Sequence, residues 1–205
     1  MRRSIQLLIA RKAADATALT AREAIQTLLG YGDVLVELYR RQLLELELRG
    51  DELEPLSAAV EAYLERTVTF WNPNRERCWV RIAGPGRRAW EGGRGMAARP
   101  CGEPDLERPD LDHLLVWSRD PAAAPPDLPR SLGGARWTRV AQGDLYSFAW
   151  GGESDESKRV RLLEGVAVAQ SRGRGLLVQP HYQDHRLILG PVPIPVWEPA
   201  NHELH

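Results

Sequence analysis

Cysteine, lysine and long apolar runs are all scarce in this chain. Among 205 residues only Cys78 and Cys101 carry thiols. That is too few for a disulfide framework, and they lack the paired spacing of a zinc site. Lysine is confined to Lys12 and Lys158 among 27 basic residues. The arginine bias runs the whole length of the chain, so it marks no single site; a patch built for bidentate phosphate contacts would be local. No stretch approaches the ~20 apolar residues that cross a bilayer. The longest uncharged run, 187–197, is interrupted by Pro191, Pro193 and Pro195. The apolar stretch 4–10 is too short for a secretion signal and ends at Arg11 and Lys12. These absences predict a cytoplasmic protein with no membrane segment. The net charge of −1 supplies no general attraction for polyanions. Also missing are a G-x-S-x-G elbow, a phosphate-binding P-loop and a dinucleotide fingerprint after a strand. Nothing in the sequence implies a cofactor.

Proline and glycine are unevenly spread. Residues 1–70 contain only Pro55 and three glycines, Gly30, Gly32 and Gly50; all seven tryptophans follow residue 70. The change at Asn72-Pro73-Asn74 divides a helix-like region, 1–71, from a strand-rich region, 72–205, the two forming one compact unit. Thr20 and Glu23 have capping-box spacing, which predicts a helix over 21–29. Val36, Tyr39, Leu43 and Leu46 recur at helical spacing, and Glu37/Arg41 and Glu45/Arg49 are four apart with the acid first. They predict a helix over 34–49, followed by another over 55–68. Residues 5–29 also have the outline of a helix-turn-helix, but its second helix carries Arg22 balanced by Glu23.

Beyond residue 72 the alternation of Cys78, Val80 and Ile82 predicts a hairpin with 87–91. A buried strand is expected over 113–118. Two strands, 137–141 and 145–150, are expected to turn at Gln142-Gly143-Asp144. A helix capped by Ser154 is expected over 155–171, then strands over 176–179 and 186–189. The stretches 92–112 and 120–134 are long, charged and rich in glycine or proline, as functional or mobile loops are. The expected fold is therefore α+β: an N-terminal helical layer packed on a mixed, mainly antiparallel sheet, with one later helix.

Three readings of function follow. The helix over 34–49 has more apolar surface than the ~100° stripe a surface helix needs. Leu35, Leu38, Leu44 and Leu48, with Trp197 on the proline-rich tail, are then candidate contacts for a protein partner or for self-association. This predicts a non-catalytic subunit or adaptor in a larger cytoplasmic assembly of bacterial type. The simpler account is that the helix is sandwiched within the domain and the tail packs on its own sheet. The second reading starts from seven arginines between 75 and 99, followed by seven acids between 103 and 127. Trp79 and Trp90 would stack bases of RNA or single-stranded DNA while Arg81, Arg87 and Arg88 hold phosphates; alternatively the acidic stretch folds over the basic one. The third is a metal-dependent enzyme using His181, Asp184 and His185, which are ligand types for zinc or iron. A turn at Pro180 would spoil the helical spacing this needs. Cys78 reads as core rather than nucleophile.

Overall fold

The computed structural model describes residues 2–49, 60, 62–64, 70–82, 89–93, 96–100, 106, 108–120, 131–132, 135–152, 155–168 and 175–197. In chain order these form β1 (Arg2–Arg11), α1 (Ala16–Thr27), β2 (Leu35–Arg49), β3 (Glu76–Ile82), β4 (Ala89–Gly93), β5 (Met96–Pro100), β6 (Leu111–Ser118), β7 (Ser131–Leu132), β8 (Ala135–Trp150), α2 (Glu156–Ala167) and β9 (Gln183–Leu189). All nine strands belong to one sheet, ordered β5-β4-β3-β1-β2-β8-β6-β9 with β7 alongside β8. Every strand pairing is antiparallel. The sheet runs through both regions of the chain, since β1 and β2 lie between β3 and β8.

The expected N-terminal helical layer is overturned. Residues 35–49 form a central strand, and 2–11 form another, which also removes the helix-turn-helix outline. The leucines and glutamates of 34–49 favour helix locally, but Leu44-Glu45-Leu46-Glu47-Leu48 is also a strict alternation. In a sheet with both faces covered, that alternation wins. Leu44, Leu46 and Leu48 join Ile5, Leu7, Ile9, Cys78, Val80 and Ile82 on one face, under Val60, Leu64, Phe70 and Trp71. On the same face α1 and α2 cover Leu35, Leu38, Leu114, Val116, Tyr146 and Phe148. On the opposite face Leu8, Leu43, Leu115, Leu145 and Ile188 lie under Leu106 and the tail residues Val192, Val196 and Trp197. The expected i,i+4 pairs dissolve with the helix: Tyr39 Oη donates to Glu37 at 2.6 Å, and Arg41 donates to Ser147 Oγ.

Other expectations shift in smaller ways. The helix expected at 21–29 begins earlier, because Asp15 rather than Thr20 is the N-cap, accepting from Thr17 N at 3.0 Å. Asp155 rather than Ser154 caps α2, accepting from the amides of Ser157 and Lys158. The strand at 113–118 and the pairing of β3 with β4 are present, with slightly different limits. The expected turn at Gln142-Gly143-Asp144 is absent: β8 continues through it for 16 residues. Gly143 is there because β6 passes close by, so that a Cβ would lie 2.6 Å from the Val116 carbonyl oxygen. Of the strand expected over 176–179, only a parallel bridge from Val178 to Val168 forms.

Candidate functional site

Strand register assembles the chemistry-bearing residues on the two faces of the sheet. On the face covered by the tail, β3, β1 and β2 bring Arg81, Gln6 and Glu45 side by side as direct cross-strand partners. Arg81 and Gln6 are fully buried and Glu45 nearly so. Buried charge is tolerated only where it is paired and hydrogen-bonded, and here the tail backbone takes part. Arg81 donates to Gln6 Oε1 at 2.8 Å and to the Val192 carbonyl at 3.0 Å. Gln6 Nε2 donates to Glu45 at 2.9 Å and to the Pro193 carbonyl at 2.8 Å. Glu45 also accepts the Val196 amide at 2.7 Å. The belt holds the tail backbone without reading its side chains. Trp197 then packs edge-on against Trp117, with ring centroids 6.1 Å apart.

Along the same face His113, on β6, lies 2.9 Å from Ser147 Oγ through Nδ1. Both side chains are fully buried, and no hydrogen bond reaches His113 Nε2. Burial, and then the positive charges of Arg41 and Arg81, push the His113 pKa down to about 3. A neutral imidazole beside a serine has the makings of a nucleophile and base, but neither atom is open to a substrate. On the other face Asp112 is fully buried, accepting from Trp150 Nε1 at 3.0 Å and from the Arg159 guanidinium. This pairing ties α2 to β6 and β8. Burial pushes the Cys78 thiol pKa up, with Glu76 adding to the shift.

Among the described residues two accessible features lie on the helix-covered face, on either side of Arg40. Arg40 binds Asp144 at 2.9 Å and Asp15 at 3.3 Å. Burial opposes its charge, but Asp144, then Tyr146 and Asp15, outweigh that and raise its pKa. On one side is an apolar groove of about 530 Å³ between α1 and the 176–177 segment, lined by Thr17, Thr20, Ala24, Tyr146, Leu176 and Leu177 among others. Leu19 of α1 and its C-cap Leu28 are exposed but do not line this groove. On the other side is a polar cleft of about 300 Å³, where Arg11, Asp15, Arg40, Gln42, Glu76, Gln142 and Asp144 converge from four strands and the α1 cap.

The residues named by sequence fall elsewhere. Leu35, Leu38, Leu44 and Leu48 are buried in the chain's own core, and so is Trp197. As strand residues in a covered sheet they leave no apolar excess on a helix surface. Trp79 is half-buried beside the tail cluster, and Arg81 is fully enclosed by its hydrogen bonds. The Trp90 backbone is in β4, paired with Val80; Arg87 and Arg88 lie outside the described residues, as do His202 and His205. His181 and His185 are exposed. Asp184 and His185 are neighbours on β9 and so face opposite sides of the sheet. The Asp184 carboxylate instead accepts from Arg119 at 2.8 Å. Among the described residues no group of three or more His, Cys, Asp or Glu could hold a metal ion, and no helix is long and apolar enough to cross a membrane. Neither the Arg40 site nor the tail belt was foreseen, because both depend on β2 being a strand. Compared with known proteins, the chain matches no family model, no curated protein and no solved structure.

Proposed function

We propose that the protein is a non-catalytic interaction subunit or adaptor of a larger cytoplasmic assembly of bacterial type. The leucines first considered for the contact are in the core, so the contact surface is a different one. One observation carries the reading: an apolar groove of about 530 Å³ lies open along α1, lined by Ala16, Ala21 and Ala24 of the helix and by Leu176 and Leu177. Concave apolar surface next to an exposed helix is what a partner's apolar side chains fill in groove-type recognition. The groove is floored by Tyr146 of the central sheet, which gives a docked segment a rigid base.

The test is affinity capture from the native cell beside a Thr20→Arg variant. Thr20 is exposed, so the variant should fold while placing charge in the groove. A protein retained by the wild type and lost with Thr20→Arg supports the reading. A wild type that is monomeric by light scattering and retains nothing defeats it, as does capture that ignores the substitution.

A further inference from the structure

The polar cleft beyond Arg40 differs in character from the groove and shares no lining residue with it. Its floor is a grid set by register. Glu76 lies opposite Arg11 across β3 and β1, and Gln42 lies opposite Asp144 across β2 and β8. Ile9 pairs with Gln42, which places Arg11 and Arg40 on the two inner strands. Glu76 and Asp144 are thus on the outer strands, three strand spacings apart and offset by two residues along the strands, or about 16 Å at the backbone, with the two guanidinium groups between them.

Much of this polarity is unused by the fold. Among the described residues no hydrogen bond or ion pair within the chain holds the side chains of Arg11, Gln42 or Gln142. Arg40 Nε is buried without an acceptor, although the same guanidinium binds Asp15 and Asp144 through its other nitrogens. Glu76 uses one oxygen, Oε2, on the Asn72 amide at 2.6 Å. Buried polar atoms are seldom left unpaired without a reason. A cleft where several such groups converge is a binding-site candidate.

We propose that the cleft binds a small amino acid with a cationic side chain. Its carboxylate would lie between Arg11 and the Nε edge of Arg40, and its two cationic groups would reach outward to Asp144 and Glu76. The Gln42 and Gln142 side-chain amides, which also line the cleft, would add an oxygen acceptor for an ammonium group and an N–H donor for the carboxylate. Charge balance argues for this class over a neutral or acidic one. Asp15, Glu76 and Asp144 outweigh Arg11 and Arg40 by one charge, and a basic amino acid carries one net positive charge. A simple diamine would offer no acceptor to Arg11 or to Arg40 Nε, and a dicarboxylate would face the outer acids.

The test is thermal-shift and calorimetric titration of the full chain at pH 7 with arginine, lysine and ornithine, and in parallel with leucine, glutamate and putrescine. Ligand binding to the native state raises the midpoint in proportion to the logarithm of its concentration. The expected result is a midpoint that rises with concentration, and a saturable calorimetric isotherm, with the basic amino acids alone, and affinity at least tenfold lower in Arg11→Ala and in Gln142→Leu. Both positions are exposed, so circular dichroism should show both variants folded. The proposal is overturned by no shift with any basic amino acid, by putrescine equalling lysine, or by binding that neither variant changes.

Discussion

Glu45 and Val196 are 151 residues apart in the chain, and the Val196 amide donates to Glu45 Oε2 at 2.7 Å inside the protein. The same oxygen accepts from Gln6. A carboxylate in the middle of a sheet face is thereby matched to the backbone of the last described segment. Replacing Glu45 with alanine strands the Val196 amide and removes one of the two acceptors of Gln6 Nε2. Glu45→Ala should cost about 3 kcal/mol, in the range for breaking a buried charged network. Glu45→Gln, which keeps an acceptor oxygen, should cost less than half as much. Urea unfolding of the two variants checks this; equal losses would mean that the acceptor is not what matters.

His113 makes stability fall with acid. Its pKa is lowered on folding from 6.5 to about 3, so between those values the unfolded chain binds the proton that the folded chain refuses. The stabilisation is complete above pH 6.5 and is lost progressively toward pH 3. At pH 5 this one group should remove about 2 kcal/mol relative to pH 7.5. Comparing the pH dependence of unfolding with that of His113→Asn isolates the contribution of this imidazole; parallel curves over pH 4–7 would refute it.

Gly143→Ala should destabilise the protein although alanine suits a strand better than glycine does. The new methyl would meet the Val116 carbonyl oxygen at 2.6 Å, and Trp117 Cβ lies close behind it. Backbone cannot rotate away as a side chain can, so a cost of about 1–3 kcal/mol is expected, as for overpacking. A thermal midpoint equal to or above that of the wild type would show that β6 moves aside freely.

Cys78 should resist alkylation in the folded protein. It is buried among Ile9, Val80 and Phe70 in one core, and its raised pKa keeps the sulfur as the unreactive thiol. Iodoacetamide at pH 8, followed by peptide mass spectrometry, should label the Cys78 peptide only after denaturant is added. Rapid native labelling would mean that the β3 side of the sheet opens readily.

Local signals were legible wherever one short rule decided the outcome. The alternation at Cys78, Val80 and Ile82, the apolar run 113–118, and Leu163, Val166 and Ala167 on α2 all took the expected form. The candidate site was not legible. In a helix over 34–49, Arg40 and Gln42 point about 200° apart, whereas in β2 they share a face. The Arg40 cleft exists only because of the second arrangement, and nothing within the segment distinguishes the two. The arginines and histidines that looked like ligands show the converse. Arg81 belongs to an internal belt, and Asp184 and His185 diverge across a sheet.

Composition alone determined that few thiols are available and that the prolines and tryptophans belong to the later, strand-rich part. The spacing of Pro191, Pro193 and Pro195 also determined that the 191–197 segment is extended, since proline fixes φ and removes donors. Only the tertiary structure decided that 35–49 is a strand. Its leucines satisfy helical and alternating patterns equally, and the choice fell to β1 and β8, which supply hydrogen-bond partners on both sides. Burial on both faces then made apolar residues welcome at every second position and beyond. The polar residues left over were brought together by register, a relationship between distant segments that no local spacing encodes.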